Sequence, residues 1–364
     1  MRFSLTLAST LAGTLFASSA IAHDGHHPIA GEEPLEPSTA TEALLDLLVP
    51  EAEAAANFKV EGKYRYIAAN GYPYKSPGRF PNRNNPHSIS KKNYQLKVPA
   101  NPRKGRARSA DGTPFGIALN GVLFDPATAE FWQNNRRSGW NYEANSKACK
   151  LGLDKHSAHV QPDGTYHYHG IPTGLLSSAG GRSTPALIGY AADGFPIYGP
   201  YGYSNPKQKS SLKKLSSSFR IKSGTRPSGP GGRYNGTFTQ DWAYVAGSGD
   251  LDQCNGRFAV TPEYPNGTYH YVITESFPYI PRCWMGAPDM SFARLKSRGG
   301  NGRGDIESKP TDTDILPANY LTDKETPVID AQHRPPPRGA GQRPPRGERN
   351  ARQGGGGRSP CSGN

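Results

Sequence analysis

The stretch Asp163-Gly164-Thr165-Tyr166-His167-Tyr168-His169 decides how this chain is read. An Asp-Gly turn leads into alternating aromatic and imidazole side chains. On a β-strand successive side chains point to opposite faces, so Tyr166 and Tyr168 share one face and His167 and His169 the other. Two imidazoles on Cα atoms ~6.5 Å apart can reach one metal ion. His156 and His159 precede the turn with further ring nitrogens, and Asp154 brings a carboxylate that can ligate or orient a ring. Such a donor set suits copper or zinc, whereas calcium takes all-oxygen shells. Tyr166 and Tyr168 are expected to bury their rings and, with Asp154, to stand behind the ligands rather than among them. The competing expectation is a histidine–tyrosine hydrogen-bond network that stiffens the core without an ion.

Working outward, the same pattern occurs twice. Gly116 to Phe124 parallels Gly189 to Ile197, each a strand, an Asn-Gly or Asp-Gly turn and a second strand. Leu153 to Tyr168 parallels Leu251 to Tyr271, ending in Asn266-Gly267-Thr268-Tyr269-His270-Tyr271. In that second copy Cys254, Arg257 and Val272 replace His156, His159 and His169, and only His167 keeps a counterpart, His270. Histidines demanded by packing would recur in both copies, so the first copy is the candidate site. The pattern predicts a mainly β protein: two copies of a β-hairpin-plus-YHYH-strand unit packed about an approximate two-fold axis as one domain over 113–290. Repeat 1 covers about 113–176 and repeat 2 about 186–286. A short helix is expected over Ala127–Asn134. Residues 57–112 read as an irregular aromatic and basic lead-in, with strand-like alternation at Lys63–Ile67 and a surface histidine at His87.

The ends have a different character. Met1-Arg2 precedes a short apolar run closing on Ala20-Ile21-Ala22, the layout of a signal peptide over 1–22 cleaved after Ala22. The expected protein is secreted or periplasmic, and it is not membrane-spanning because no run reaches ~18 apolar residues. Cleavage there would expose His23-Asp24-Gly25-His26-His27, a candidate N-terminal metal tract in which His23, His26 and His27 supply nitrogen. Residues 23–56 read as a flexible connector. Residues 291–364 are Arg/Gly/Pro-rich and expected to be disordered. The net charge of +13 sits largely in loop and tail compositions without a recognition helix. No nucleic acid is expected; an acidic envelope polymer is the partner this charge fits. Of the four cysteines, Cys254 and Cys283 flank the second motif and make the expected disulfide. Cys149 is left open among a bridge, a free thiol and a metal ligand, and oligomeric state is not legible.

Leu153-Asp154, His159 through Pro172, Gly189 to Tyr198, Leu251 to Arg257 and Phe277 to Cys283 closely resemble the YHYH-domain family of secreted bacterial proteins, named for the tetrad Tyr166-His167-Tyr168-His169. The resemblance covers about Phe115 to Gly286. Some relatives carry Cys-x-Gly-His where this chain has His156-Ser157-Ala158-His159. The resemblance implies a fold unit and an exported location, and no reaction. The expected function is therefore binding of copper or zinc through His167, His169, His159 and His156. Its alternatives are a non-catalytic envelope protein holding acidic polymers, with structural histidines, and a metal-dependent extracellular hydrolase with an open coordination position. No nucleophile elbow, Walker loop or dinucleotide fingerprint occurs in its required context.

Overall fold

A computed structural model describes residues 55–73, 77–110, 112–295 and Cys361. The expected signal peptide, the His23/His26/His27 tract and nearly all of 296–364 lie outside the described residues. The lead-in contributes regular structure. Strands β1 (Ala56–Glu61), β2 (Tyr64–Ala69) and β3 (Tyr94–Pro99) pair antiparallel in that order. Their alternation buries Ile67, Ala69, Tyr94, Leu96 and Val98 and leaves Asn57, Lys59, Tyr66 and Gln95 exposed. One face is apolar and the other wet, as a sheet lying on a core requires.

That core belongs to an eight-stranded sheet. Its strands are β4 (Gly116–Ala118), β5 (Leu123–Phe124), β6 (Ala158–Val160), β7 (Tyr166–Tyr168), β8 (Leu187–Ala191), β9 (Pro196–Tyr198), β10 (Gly256–Ala259) and β11 (Thr268–Val272). The spatial order is β10-β11-β9-β8-β4-β5-β7-β6, so the strands of the two sequence repeats run outward from the centre in the same succession. Registers match as well. Phe124 faces Tyr168 and Ile197 faces Tyr271, both in parallel pairs. His159 faces His167 and Arg257 faces His270, both antiparallel.

The entry to each motif strand is built alike. Ser157 (φ 53°) and Asn255 (φ 54°) take the left-handed conformation just before β6 and β10. Asp154 accepts from the backbone N–H of His156 (2.8 Å) and Ala158 (3.2 Å), and Asp252 from those of Cys254 and Gly256 (3.0 Å each). Tyr166 Oη donates to Asp154 at 2.6 Å, and Tyr269 Oη to Asp252 at 3.0 Å. Each carboxylate thus holds a turn and anchors the first tyrosine of its motif. Glycine is needed at the hairpin tips, Gly121 (φ +84°) and Gly194 (φ +89°), because both press on the lead-in sheet. A Cβ on Gly121 would stand 2.8 Å from Ala69 Cβ, and one on Gly194 would overlap the Pro99 carbonyl.

The helix expected over Ala127–Asn134 is replaced by two short 3₁₀ turns, Trp132–Asn134 and Arg136–Ser138. Asn141 Nδ2 takes the carbonyls of Thr128 (3.2 Å) and Glu130 (2.8 Å), acceptors an α-helix would need for its own amides. Both disulfides are present: Cys254–Cys283 as expected, and Cys149–Cys361 across 212 residues of sequence. Cys361 is buried in a small apolar cluster with Trp140, Tyr142, Leu151 and Phe238. No helix among the described residues is long and apolar enough to cross a membrane.

Candidate metal centre

His159, His167 and His169 converge. His159 lies opposite His167 in the β6–β7 pair, and His169 follows β7 on the same face. His167 Nε2 is 2.9 Å from His169 Nε2, which is 3.1 Å from His159 Nε2. Ring centroids stand 4.7, 4.7 and 4.8 Å apart, with interplanar angles of 62°, 70° and 74°. The three rings therefore close like blades on one point. Tetrahedral zinc at 2.0–2.1 Å sets its nitrogens ~3.3 Å apart, a few tenths of an ångström more than the two separations from His169 Nε2.

The outer nitrogens are fixed by the main chain. His159 Nδ1 donates to the Leu151 carbonyl at 3.0 Å and His167 Nδ1 to the Thr165 carbonyl at 3.2 Å. With a proton on each Nδ1, both Nε2 atoms turn bare lone pairs inward, the tautomer a metal-bound imidazole needs. Three inward lone pairs repel one another unless something positive lies between them. That can be a metal ion, or a single proton on His169 Nε2 shared with its neighbours.

Burial sets the charge state. His167 and His169 are 2% exposed, while His159 keeps one partly open side. Loss of hydration, then the nearby His167, lowers His159 to about 3. Burial lowers His167 to about 4. His169 falls well below the ordinary range through burial, its two histidine neighbours and Arg282. All three are neutral, and so competent as ligands, throughout the physiological range.

His156 does not join them. Its Nδ1 is 2.7 Å from Thr173 Oγ1 and accepts the Gly174 N–H at 3.1 Å. Asp154 sits behind the cluster, on Tyr166 and the Gly78 N–H (2.9 Å). Tyr166 and Tyr168 face the core, the latter accepting from Asn120 Nδ2 at 2.9 Å. Asp125 was not singled out from the sequence. Burial pushes its carboxyl up to about 6 against the opposing influence of the Ala127 N–H, Arg282 and His159, which places it beside the cluster. His87, expected at the surface, is half-buried and near enough to His159 to oppose its protonation. The counterpart of Asp125 in the second copy, Tyr198, packs its ring 4.9 Å from His270.

The second copy has no such cluster. There His270 is lowered to about 3 by burial and then by Arg257, whose Nη2 donates to the Tyr203 carbonyl at 3.0 Å. Residues 95–286 match the family described as YHYH protein. The chain belongs to the YHYH family. Searches among curated proteins and solved structures find no match. In this YHYH protein the tetrad divides its labour by strand face: the tyrosines enter the core, and the histidines, with His159, form a buried triad able to hold a metal ion.

Proposed function

We propose that this YHYH protein is exported and binds one copper or zinc ion through His159, His167 and His169. The reading rests on the convergence of three Nε2 atoms, with the outer nitrogens of His159 and His167 tied to carbonyls. The second copy supports it. Where that copy carries the permanent cation of Arg257, the first carries three uncharged imidazoles, leaving the positive charge to come from outside. The ligand set is all imidazole, which favours copper or zinc over harder cations. Two disulfides suit an oxidising compartment, in keeping with the leader-like residues 1–22.

Protein made without a His tag and stripped over a weak chelating resin is expected to retain about one equivalent of metal per chain. In His167→Ala/His169→Ala that content should drop to background. A folded wild type that never rises above background, even after incubation with copper or zinc, sinks the reading. His156→Ala is expected to keep the metal and to cost about 1–2 kcal/mol through its lost Thr173 and Gly174 contacts. Elemental analysis and a denaturant titration check both halves. A metal-dependent hydrolase is the second reading, favoured by one observation: three protein ligands leave a fourth position free, as in catalytic zinc sites.

A further inference from the structure

We propose that the outer face of the β1–β2–β3 sheet binds an anionic polysaccharide, a chain of sugar rings bearing carboxylates. Strand register sets Lys59, Tyr66 and Lys97 in one row across the three strands. At the ~4.8 Å strand spacing the two lysine Cα atoms stand about 10 Å apart with the tyrosine between them. Tyr66 is 43% exposed, unusual for a large aromatic side chain on a sheet. Tyr64 meets it edge-on at 6.2 Å, and Lys97 Nζ lies 4.5 Å from the Tyr64 ring centre. The result is an aromatic platform edged by ammonium groups.

Lys59, Tyr66 and Lys97 floor a cleft of about 640 Å³. Its wall is the helical turn Met290–Ala293, with Met290 72% exposed and Arg294 just beyond. Ser291 Oγ accepts the Lys97 N–H and donates to the Lys97 carbonyl, both at 3.2 Å, so wall and floor are one unit. Asn57 and Gln95 add amides that can both donate to and accept from hydroxyls. Lys59, Lys63, Lys97 and Arg294 outnumber Glu61 and Asp289, and Asp289 is engaged as the cap of that turn, accepting from Ser291 N. Sugar rings suit the tyrosine faces, hydroxyls the amides, and carboxylates the lysines. An occupant with all three chemistries is a uronate polymer. Glu61 ion-pairs with Lys59 and holds that ammonium back.

The test uses the full-length protein with polygalacturonate, neutral dextran and single-stranded DNA as probes, in about 0.3 M salt, where surface charge is screened beyond roughly 6 Å. Polygalacturonate should bind and dextran should not. Tyr66→Ala, which leaves the charge unchanged, should weaken binding about tenfold, and Lys59→Gln/Lys97→Gln by a similar factor. Glu61→Gln should strengthen it about threefold by freeing Lys59. These positions are on the surface, and melting curves should match the wild type. No binding of polygalacturonate overturns the proposal. So does wild-type binding by both Tyr66→Ala and Glu61→Gln, which assigns attraction to net charge alone. DNA bound with the same dependence on Tyr66 overturns it in favour of nucleic acid.

Discussion

His169→Ala is expected to weaken metal binding by about three orders of magnitude or more while leaving the protein folded. His169 Nε2 is the atom within 2.9 and 3.1 Å of both other donors, so its loss leaves two imidazoles and an unfilled corner. Removing an outer-sphere partner of a ligand already costs 10–100-fold, and removing the ligand itself costs more. The change also opens a cavity at a buried position, which lowers stability by about 2–3 kcal/mol. The second repeat supplies the control. His270 is equally buried and occupies the register of His167, so His270→Ala should cost similar stability and leave metal content intact. Competition titration against a chromophoric chelator, with a melting curve for each variant, reads both quantities. Equal affinity in wild type and His169→Ala would remove the ion from this account.

The second large effect concerns acid. Histidines with the ordinary value near 6.5 are mostly protonated at pH 5, costing each ligand about 30-fold in affinity, or roughly 10⁴-fold for three. In this triad, with His159 lowered to about 3, His167 to about 4 and His169 held well below its ordinary value, protons do not yet compete at pH 5. Affinity is therefore expected to change by less than about twofold between pH 7 and pH 5, then fall steeply below pH 4. Chelator competition at each pH measures it, and a tenfold loss between pH 6 and pH 5 would contradict the buried neutral triad. The metal-free protein shows the other side of the linkage. Each of these imidazoles stays neutral in the fold but takes a proton when unfolded, so stability drops as pH falls below 6.5 toward the folded values. Asp125 and Asp193, raised to about 6 by burial, act in the opposite direction between pH 6 and 4.

How much of the site was legible follows from periodicity. His167 and His169 sit two apart and share a strand face, and the hairpin turn folds His159 back onto them. His156 obeys no such rule. It lies outside β6, beyond the left-handed Ser157, so alternation along the strand says nothing about its direction. The acceptors that set the tautomers, Leu151 and Thr165, act through main-chain carbonyls that no side-chain pattern announces. Asp125 follows a two-residue strand in a parallel pair whose partner is more than forty residues away, a contact that needs the fold. The mainly β architecture was legible because both hairpins and both motif strands carry turn signals. The lead-in sheet was only half visible: Lys63–Ile67 alternates, but one partner strand is separated from it by Gly71 to Asn93 and the other, Ala56–Glu61, lies in a stretch read as irregular from residue 57 on.

The Cys149–Cys361 bridge changes what the last part of the chain is. It joins Cys361 covalently to the loop that carries Leu151. Residues 149–361 are thereby closed into one covalent ring. A protease that nicks the ring once releases nothing, and its two fragments separate only when a reductant is added.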